Sequence, residues 1–404
     1  MDLIALLPMG RSGAAAVLRR LVLGVGILCP MVPDTYMAQP VVTPLAPDAT
    51  CACRLVMHRE VEIGETRAGL PITPGTRVEA DPRGGLLLWS LEQMGLAVRL
   101  DASGLRFATL GGAGSGAQTI GRIRDVARVS ADSFLVVDAM RLTVLDSSGV
   151  PARSRNLPDR ARGFRFLGLS DGRIVINNYM PDRPSFLLLD RNLDEVRQFG
   201  PHTPASKPMD SDAIQYQLAD LGNGRFAAVR QNYDYVVEVW DTTGTRVQQF
   251  RRTTSWFRPW TFEDALSRGP RSPPFTRVEG VHFEPPNRLW VIATVPDRRL
   301  PVAPRRVQNS VRGREVPDWT PLPVSEYSRT YDTIIEVVDI ASGKPLITQR
   351  FDEYLSSSLG DGRLASLRET ARGVLVLDVW RVSVESVPPR APPGSAALSG
   401  GFVP

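Results

Sequence analysis

Short apolar runs alternate with tight polar turns along most of this chain. In residues 221–250, LGNGRFAAVRQNYDYVVEVWDTTGTRVQQF, the runs Phe226–Val229 and Val236–Trp240 are separated by Gly, Asn and Asp turns. Runs of this kind, rich in Val, Phe, Tyr and Trp, indicate antiparallel strands joined by hairpins. Few segments show sustained helical periodicity, so the sequence predicts an all-β fold.

The end of the strand unit recurs at a regular spacing. An apolar run closes on Asp, usually followed three residues later by Gly, and the steps between these aspartates are 45, 44, 51 and 98 residues. A period in the forties with about four strands per unit is typical of a β-propeller blade. We expect the Asp side chain to cap the turn and Gly to adopt a positive φ angle, which is a structural role. The aspartates are Asp101, Asp146, Asp190, Asp241 and Asp339.

Counting these units predicts a six-bladed β-propeller of four-stranded antiparallel blades over residues 54–387. The interval of 98 residues between Asp241 and Asp339 leaves a seventh blade as the alternative. We favour a loop insertion at 295–330, since that segment is rich in Pro and Arg and lacks strand alternation. A second loop insertion, 251–277, joins two blades.

The ring must also be closed. The last unit shows only three strand-like segments, and residues 54–63, RLVMHREVEI, form an isolated strand before the first full unit. Closing a propeller with strands from both ends of the chain leaves no free sheet edge. The N-terminal strand is therefore expected to complete the last blade. After the propeller, the low-complexity tail 388–404 is expected to be disordered.

The N-terminal segment, residues 1–38, has the pattern of an export signal or a membrane anchor. Three arginines precede the apolar stretch Leu21–Val32, which is too short to span a bilayer but suits a signal core. Cys29 leaves lipidation open, so the segment is cleaved, lipidated or retained. Either way the protein is expected to be exported, to the periplasm, the extracellular space or the cell envelope.

A Pro-rich lead-in, 39–53, contains the other two cysteines, Cys51 and Cys53. Their spacing does not match a zinc site, because no second pair and no nearby His supports them. Export makes a local disulfide possible, although an extended Cys-x-Cys pair is strained. We expect neither cysteine to take part in chemistry.

Several turns resemble those of a known propeller family. The glycine-rich connection LGGAGSGAQTIGR at 110–122, the Asp-x-x-Gly turns and the Asp-Gly-Arg turns at 171–173 and 361–363 resemble six-bladed propellers of the NHL-repeat and TolB-like kind. The resemblance covers residues 54–387 and implies architecture, since blade motifs recur across unrelated functions. The glycines precede a strand, with no Gly-Lys-Ser/Thr after them, so they do not indicate a phosphate loop.

Topology predicts where a binding site would lie. Strands within a blade alternate in direction, so the connections between blades and the loops between second and third strands emerge on one face, here called the loop-rich face. Aromatic and arginine side chains there suit a protein, peptide or glycan partner, and the alternative is that the tryptophans only pin the loops. The candidate binding residues are Asn178, Tyr179, Asn232, Tyr233, Trp256, Trp260, Arg298 and Trp319.

The positive charge of the chain does not predict a nucleic-acid partner. The net charge is +5 and the isoelectric point about 9.4. However, the arginines are spread through every unit and interleaved with Asp and Glu, rather than gathered into a stripe. Contact with a membrane is expected only through the N-terminal segment, if that segment is retained.

Catalysis has little support in the sequence. The three histidines, His58, His202 and His282, have no companion at triad or metal-ligand spacing. The sequence also lacks the hydrolase elbow, a Gly-x-Ser-x-Gly turn that leads into a helix, and the zinc-protease motif His-Glu-x-x-His. We therefore expect a non-catalytic binding or scaffold module without a cofactor. The alternative is a divalent-metal-dependent, lactonase- or esterase-like hydrolase, because Glu279-Gly280 resembles part of the pattern by which such propellers hold a cation. That resemblance implies Ca²⁺ or another divalent ion over the channel, with oxygen ligands from Glu279, Asn178 and Asn232.

Overall fold

The computed structural model of the protein describes the chain from residue 43 to residue 386, with gaps. The predicted segment 1–38 and the tail 388–404 lie outside the described residues. The described ranges are 43–44, 53–81, 83–91, 97–110, 120–130, 132–138, 141–157, 163–178, 183–202, 215–232, 234–260, 275–299, 307–311, 314–317 and 324–386.

Strands dominate the described part of the chain. In chain order the elements are β1 (Thr43–Pro44), β2 (Cys53–Ile63), α1 (Glu65–Ala68), β3 (Thr76–Ala80), β4 (Leu86–Ser90), β5 (Ala97–Leu100), β6 (Arg106–Leu110), β7 (Asp125–Ser130), β8 (Ser133–Val137), β9 (Arg141–Asp146), β10 (Pro151–Asn156), β11 (Gly163–Gly168), β12 (Ile174–Asn178), β13 (Pro184–Leu189), β14 (Glu195–His202), β15 (Tyr216–Gly222), β16 (Arg225–Arg230), β17 (Val236–Asp241), β18 (Arg246–Arg251), β19 (Arg277–Glu284), β20 (Arg288–Pro296), β21 (Val307–Val311), β22 (Arg314–Pro317), α2 (Val324–Thr330), β23 (Tyr331–Asp339), β24 (Lys344–Phe351), β25 (Ser357–Gly360), β26 (Arg363–Glu369) and β27 (Leu375–Ser386).

Six antiparallel four-stranded blades form a ring, as predicted. Blades one to four are β3–β6, β7–β10, β11–β14 and β15–β18. Blade five has the order β19-β20-β23-β24, so the hairpin β21-β22 and helix α2 are inserted between its second and third strands. The long interval in the sequence is therefore an insertion within one blade, and the seventh blade is excluded.

The N-terminal strand closes the ring. Blade six has the order β2-β27-β26-β25, and β2 pairs with β27 from Cys53 opposite Ser386 to Ile63 opposite Leu377. The last blade thus combines residues from both ends of the propeller, as predicted. A further contact was not predicted: Thr43 and Pro44 pair in parallel with the outer strand of blade four.

The core consists of six apolar clusters, one at each boundary between neighbouring blades. In β4, for example, Leu86 and Leu88 pack toward blade six, whereas Leu87 and Trp89 pack toward blade two. Both faces of a middle strand are therefore buried. This explains why such strands form continuous apolar runs in the sequence, where a half-exposed sheet would show strict alternation.

The Asp-x-x-Gly turns have the predicted structural role. Asp101 Oδ1 accepts hydrogen bonds from the backbone N–H groups of Ser103 and Leu105, at 2.9 and 3.0 Å, and Gly104 adopts φ +81°. The degenerate copy at Asp190 keeps this geometry without glycine, because Leu193 takes φ 68° and buries its side chain between blades two and three. Apolar packing there compensates for a backbone conformation that favours glycine.

The helices are short and were not predicted. Helix α2 packs on β23 and β26, and its first residue, Val324, joins the apolar cluster between blades six and one. In the described part of the chain no helix has the length and apolar character needed to cross a membrane. Cys53 is disulfide-bonded, and its partner lies outside the described residues.

Candidate functional site

The innermost strands of all six blades surround a central channel. Its cavity volume is about 1220 Å³, and β3, β7, β11, β15, β19 and β25 line it. These strands run in the same direction, so one end of the channel is formed by the residues where they begin. We call this end the channel mouth, and it lies on the loop-rich face, where the connections between blades arrive.

Two innermost strands present the same four residues at the channel mouth. Blade one begins with Thr76-Arg77-Val78-Glu79, and blade five with Thr276-Arg277-Val278-Glu279. In each copy Thr and Val are buried, whereas Arg and Glu line the channel. Because side chains alternate along a strand, the tetrapeptide places one guanidinium and one carboxyl group on the channel wall.

Blades two and three add Asp125 and Arg165 to the same end. Glu79 and Asp125 lie close enough to affect each other. Burial raises the pKa of Glu79 to about 8, and the neighbouring carboxylate of Asp125 raises it further, against the opposing effect of Arg165. Burial also raises the pKa of Asp125 to about 6. Although Glu79 is half-exposed to the cavity, the surrounding blades reduce its hydration. Its charged form is therefore disfavoured.

The two Arg-x-Glu copies differ in their pairing. Arg277 Nε lies 3.8 Å from Glu279 Oε2, and Glu279 Oε1 accepts a hydrogen bond from Thr294 Oγ1 at 3.2 Å. Arg77 forms no ion pair with any carboxylate of the described residues. Its Nη1 donates to the carbonyl of Thr76 at 3.2 Å. Although Arg77 is exposed to the cavity, the surrounding blades displace part of its hydration and lower its pKa, and the like charge of Arg165 lowers it further.

Aromatic rings cover part of the channel mouth. Tyr327 of α2 stacks on Tyr354 with ring centroids 5.0 Å apart, and Tyr331 lies 6.1 Å from each. On the side of blade five, Trp260 stacks on Phe275 at 4.0 Å. All five line the channel cavity. The mouth therefore combines charged groups with flat apolar surfaces, an arrangement typical of recognition sites.

The predicted binding residues occupy different environments. Trp260 lines the channel mouth, and its Nε1 donates to the carbonyl of Thr276 at 2.7 Å. Trp256 instead packs against Tyr235, at a ring distance of 5.2 Å, below the loop. Arg298 is exposed. Tyr179, Tyr233 and Trp319 lie outside the described residues.

The residues of the metal alternative do not line one cavity. Glu279 faces the channel, whereas Asn178 and Asn232 are 1% and 3% exposed and do not belong to the described channel wall. The backbone carbonyl of Asn232 accepts a hydrogen bond from the N–H of Trp260 at 3.0 Å, which anchors the loop. Within the described ranges, no group of three or more His, Cys, Asp or Glu side chains could hold a metal ion.

His282 lies on the innermost strand β19 and lines the channel. Its Nε2 accepts a hydrogen bond from the backbone N–H of Asp361 at 3.1 Å, at the end of the channel opposite the mouth. Burial lowers the pKa of His282, which favours the neutral ring that can accept this bond. The contact connects blade five to a turn of blade six, so the role of His282 is structural.

Most of the charged residues at the mouth were not predicted as site residues. The available signal was the repeated Thr-Arg-Val-Glu, whose two copies begin 200 residues apart, each at the start of a strand unit. Asp125 and Arg165 have no comparable signal. Their convergence depends on the ring placing the starts of different innermost strands side by side.

No known protein family matches this chain, and no curated protein matches it in sequence. Several solved structures resemble it to different degrees. A Bacteroides fragilis NCTC 9343 protein assigned to export has a TM-score of 0.50 and 10% identity, covering 85% of this chain and 100% of that chain. A Bacteroides caccae protein of unknown function has a TM-score of 0.37 and 10% identity, over 69% and 84% of the two chains. The Neurospora crassa Pan2 WD40 domain has a TM-score of 0.38 and 13% identity, over 83% and 97%. At 10% identity, the likeness to the Bacteroides fragilis protein concerns the fold alone.

Proposed function

We propose that this chain is an exported, non-catalytic binding propeller that receives a protein, peptide or glycan at the channel mouth. The supporting observation is Arg77, a guanidinium on the channel wall without an ion-pair partner among the described residues. The blades are held together by apolar clusters elsewhere, so packing does not require this charge. A charge that the fold does not need, in a concave site with aromatic walls, indicates binding.

Export is part of this proposal. It is supported by the signal-like pattern of residues 1–38, by the disulfide at Cys53 and by the shared fold of the Bacteroides fragilis protein assigned to export. The resemblance to NHL-repeat and TolB-like propellers belongs to the same proposal. Neither a nucleic acid nor a cofactor is part of it, and a membrane is contacted only through the N-terminal segment if that segment is retained.

A thermal-shift screen tests the binding function. Residues 40–404 are mixed with amino acid derivatives, short peptides, sugars, sugar acids and phosphate esters. A compound that binds the folded state at a hundredfold excess over its Kd stabilises it by about 2.7 kcal/mol. We expect a saturable rise in melting temperature with at least one class, and its loss in Ser357→Trp, which places a bulky ring in the channel lining. Binding that survives this change would contradict a site in the channel.

A further inference from the structure

Three of the positive groups at the channel mouth come from different blades. Arg77, Arg165 and Arg277 begin the innermost strands of blades one, three and five, and all three line the cavity. They lie close enough for Arg165 and Arg277 each to disfavour the charge on Arg77. Like charges arranged around one channel mouth repel each other, so an anion placed between them would remove that repulsion.

The acidic groups at the same end limit which anion fits. Glu79, Asp125 and Glu279 oppose the three arginines. With a pKa of about 8, Glu79 is largely protonated at neutral pH, and Arg122 and Arg128 also line the channel near β7, so the guanidinium groups outnumber the two remaining carboxylates. The surplus charge is therefore positive. A carboxylate places one negative charge there, whereas a dianionic phosphate would place a second one against the two carboxylates.

We propose, on the basis of the binding function above, that the channel mouth holds its ligand by a carboxylate group received by Arg77, with Arg165 and Arg277 beside it. A guanidinium presents two parallel N–H donors that match the two oxygens of a carboxylate. Arg277 is already paired with Glu279 at 3.8 Å, which leaves Arg77 as the principal anchor.

The body of the ligand lies against aromatic rings. Tyr354 lines the same end of the cavity as Arg77 and stacks on Tyr327 at 5.0 Å. A flat apolar group attached to the carboxylate would contact these rings while the carboxylate meets the guanidinium. The ligand is thus an aromatic carboxylate, supplied either as a free small molecule or as the C-terminal residue of a peptide.

Calorimetric titration with matched probes tests the proposal. N-acetylphenylalanine and its C-terminal amide have the same ring and differ only at the carboxylate. We expect the acid to bind at least tenfold more tightly than the amide, since hydrogen bonds between charged groups are the stronger kind. Hydrocinnamate and a tripeptide ending in phenylalanine distinguish the two sources, and inorganic phosphate and glucuronate test other anions.

Variants locate the carboxylate. Arg77→Ala should weaken binding of the acid at least tenfold and leave the amide unchanged, and Arg77→Lys should recover only part of the loss, because lysine lacks the two-donor fork. Arg363→Ala is the matched control. That arginine lines the opposite end of the channel, where it donates to the carbonyl of Gly84 at 3.2 Å. Melting temperatures confirm that each variant is folded.

The acidic side of the site gives an independent readout. Affinity for the acid should fall as the pH rises through about 8, because ionisation of Glu79 adds a negative charge at the channel mouth. Asp125, Arg165 and Arg128 surround the same carboxyl group, and none of them is replaced in Glu79→Gln. This variant should therefore keep its affinity over the same pH range, whereas a parallel decline in both proteins would contradict the role of Glu79.

The outcomes separate the two proposals. Equal binding of acid and amide, or an Arg77→Ala variant that binds the acid as well as the wild type, would overturn the carboxylate proposal and leave binding at the mouth intact. The same holds if only a sugar or a phosphate binds. If no probe of any class binds, both proposals fail.

Discussion

The hydroxyl of Tyr235 in blade four donates a hydrogen bond to Oε2 of Glu336 in blade five over 2.6 Å. Both side chains are buried, and the other carboxylate oxygen, Oε1, lies 2.9 Å from Arg252 Nη2 and accepts from Thr348 Oγ1 at 2.8 Å. A buried carboxylate is tolerated when its charge is paired and its lone pairs are occupied. The two blades are therefore joined by a polar network as well as by apolar packing.

Removing this hydroxyl should destabilise the ring. We expect Tyr235→Phe to lower the free energy of unfolding by about 1.5–3 kcal/mol, because a buried hydrogen bond to a charged group is lost. Chemical denaturation at pH 7 measures the change. In a Glu336→Gln background the same substitution should have a smaller effect, and an equal loss in both backgrounds would show that the carboxylate is not the cause.

Glu79 should make stability depend on pH. Its pKa is raised from about 4.5 in the unfolded chain to about 8 in the folded protein, chiefly by burial. The folded state therefore favours the protonated form, and this contribution is fully present below about pH 4.5 and lost as the pH rises through about 8. Unfolding free energies of wild type and Glu79→Gln, measured at pH 5, 6.5 and 8, should diverge, the wild type losing more stability at each step.

Asp101 is a matched control, because its pKa is shifted in the opposite direction to that of Glu79. Hydrogen bonds from Ser103 and from the backbone of Leu105 lower the pKa of this exposed turn residue. Its contribution is present above the ordinary pKa of aspartate and is lost as the pH falls through the lowered value. Asp101→Asn should therefore leave the slope of the unfolding free energy against pH unchanged between pH 5 and 8. If Asp101→Asn and Glu79→Gln alter this slope equally, the assignment to Glu79 is wrong.

The sequence predicted the propeller because the repeated turn motif is stabilised by hydrogen bonds between residues close in sequence. Each Asp-x-x-Gly turn is made by hydrogen bonds within five residues, as at Asp101, so the turn is visible as a motif. The insertion in blade five was also predictable, since the Pro- and Arg-rich stretch lacks the alternation of a blade strand. The hairpin β21-β22 and helix α2 within it were not predicted. Closure by β2 followed from counting strands in the last unit.

The site was less predictable because it is assembled by the ring. Asp125 and Arg165 come from different blades, and nothing in their local sequence distinguishes them from solvent-exposed charges. Trp256 and Trp260 are four residues apart in one loop, yet only Trp260 lines the channel. Which residue faces a cavity depends on how the loop packs against Tyr235, a contact without a sequence motif.

The closing strand should be essential for stability. Ile63 is fully buried between blades six and one, so Ile63→Ala should lower the free energy of unfolding by about 2–5 kcal/mol. His58 lies on the same strand but is exposed, and His58→Ala should change stability by under about 0.5 kcal/mol. Deleting residues 40–64 should lower the melting temperature of the whole propeller. An unchanged melting temperature would show that β2 does not close the ring.

The close contact between β7 and β11 should not tolerate an added methyl group at Gly168. A Cβ at Gly168 of β11 would lie 2.0 Å from the carbonyl oxygen of Arg128 and 2.6 Å from Val129 Cα, both backbone atoms of β7. Relief requires the two innermost strands to separate, so Gly168→Ala should lower the free energy of unfolding by about 1–3 kcal/mol. Chemical denaturation measures this loss.

Gly168→Ala should also displace residues at the channel mouth, since Asp125 belongs to β7 and Arg165 belongs to β11. Gly64→Ala is the matched control, because the nearest atom to its Cβ is Val376 Cγ1 at 4.0 Å and its φ is −97°. Gly64 is the N-cap of α1, where glycine is preferred over alanine, so this control should cost at most about 0.5–1 kcal/mol. If both alanine variants unfold at the same denaturant concentration, close contact between β7 and β11 does not set the geometry of the channel. If only Gly168→Ala is destabilised, the spacing of the innermost strands limits which residues can meet at the mouth.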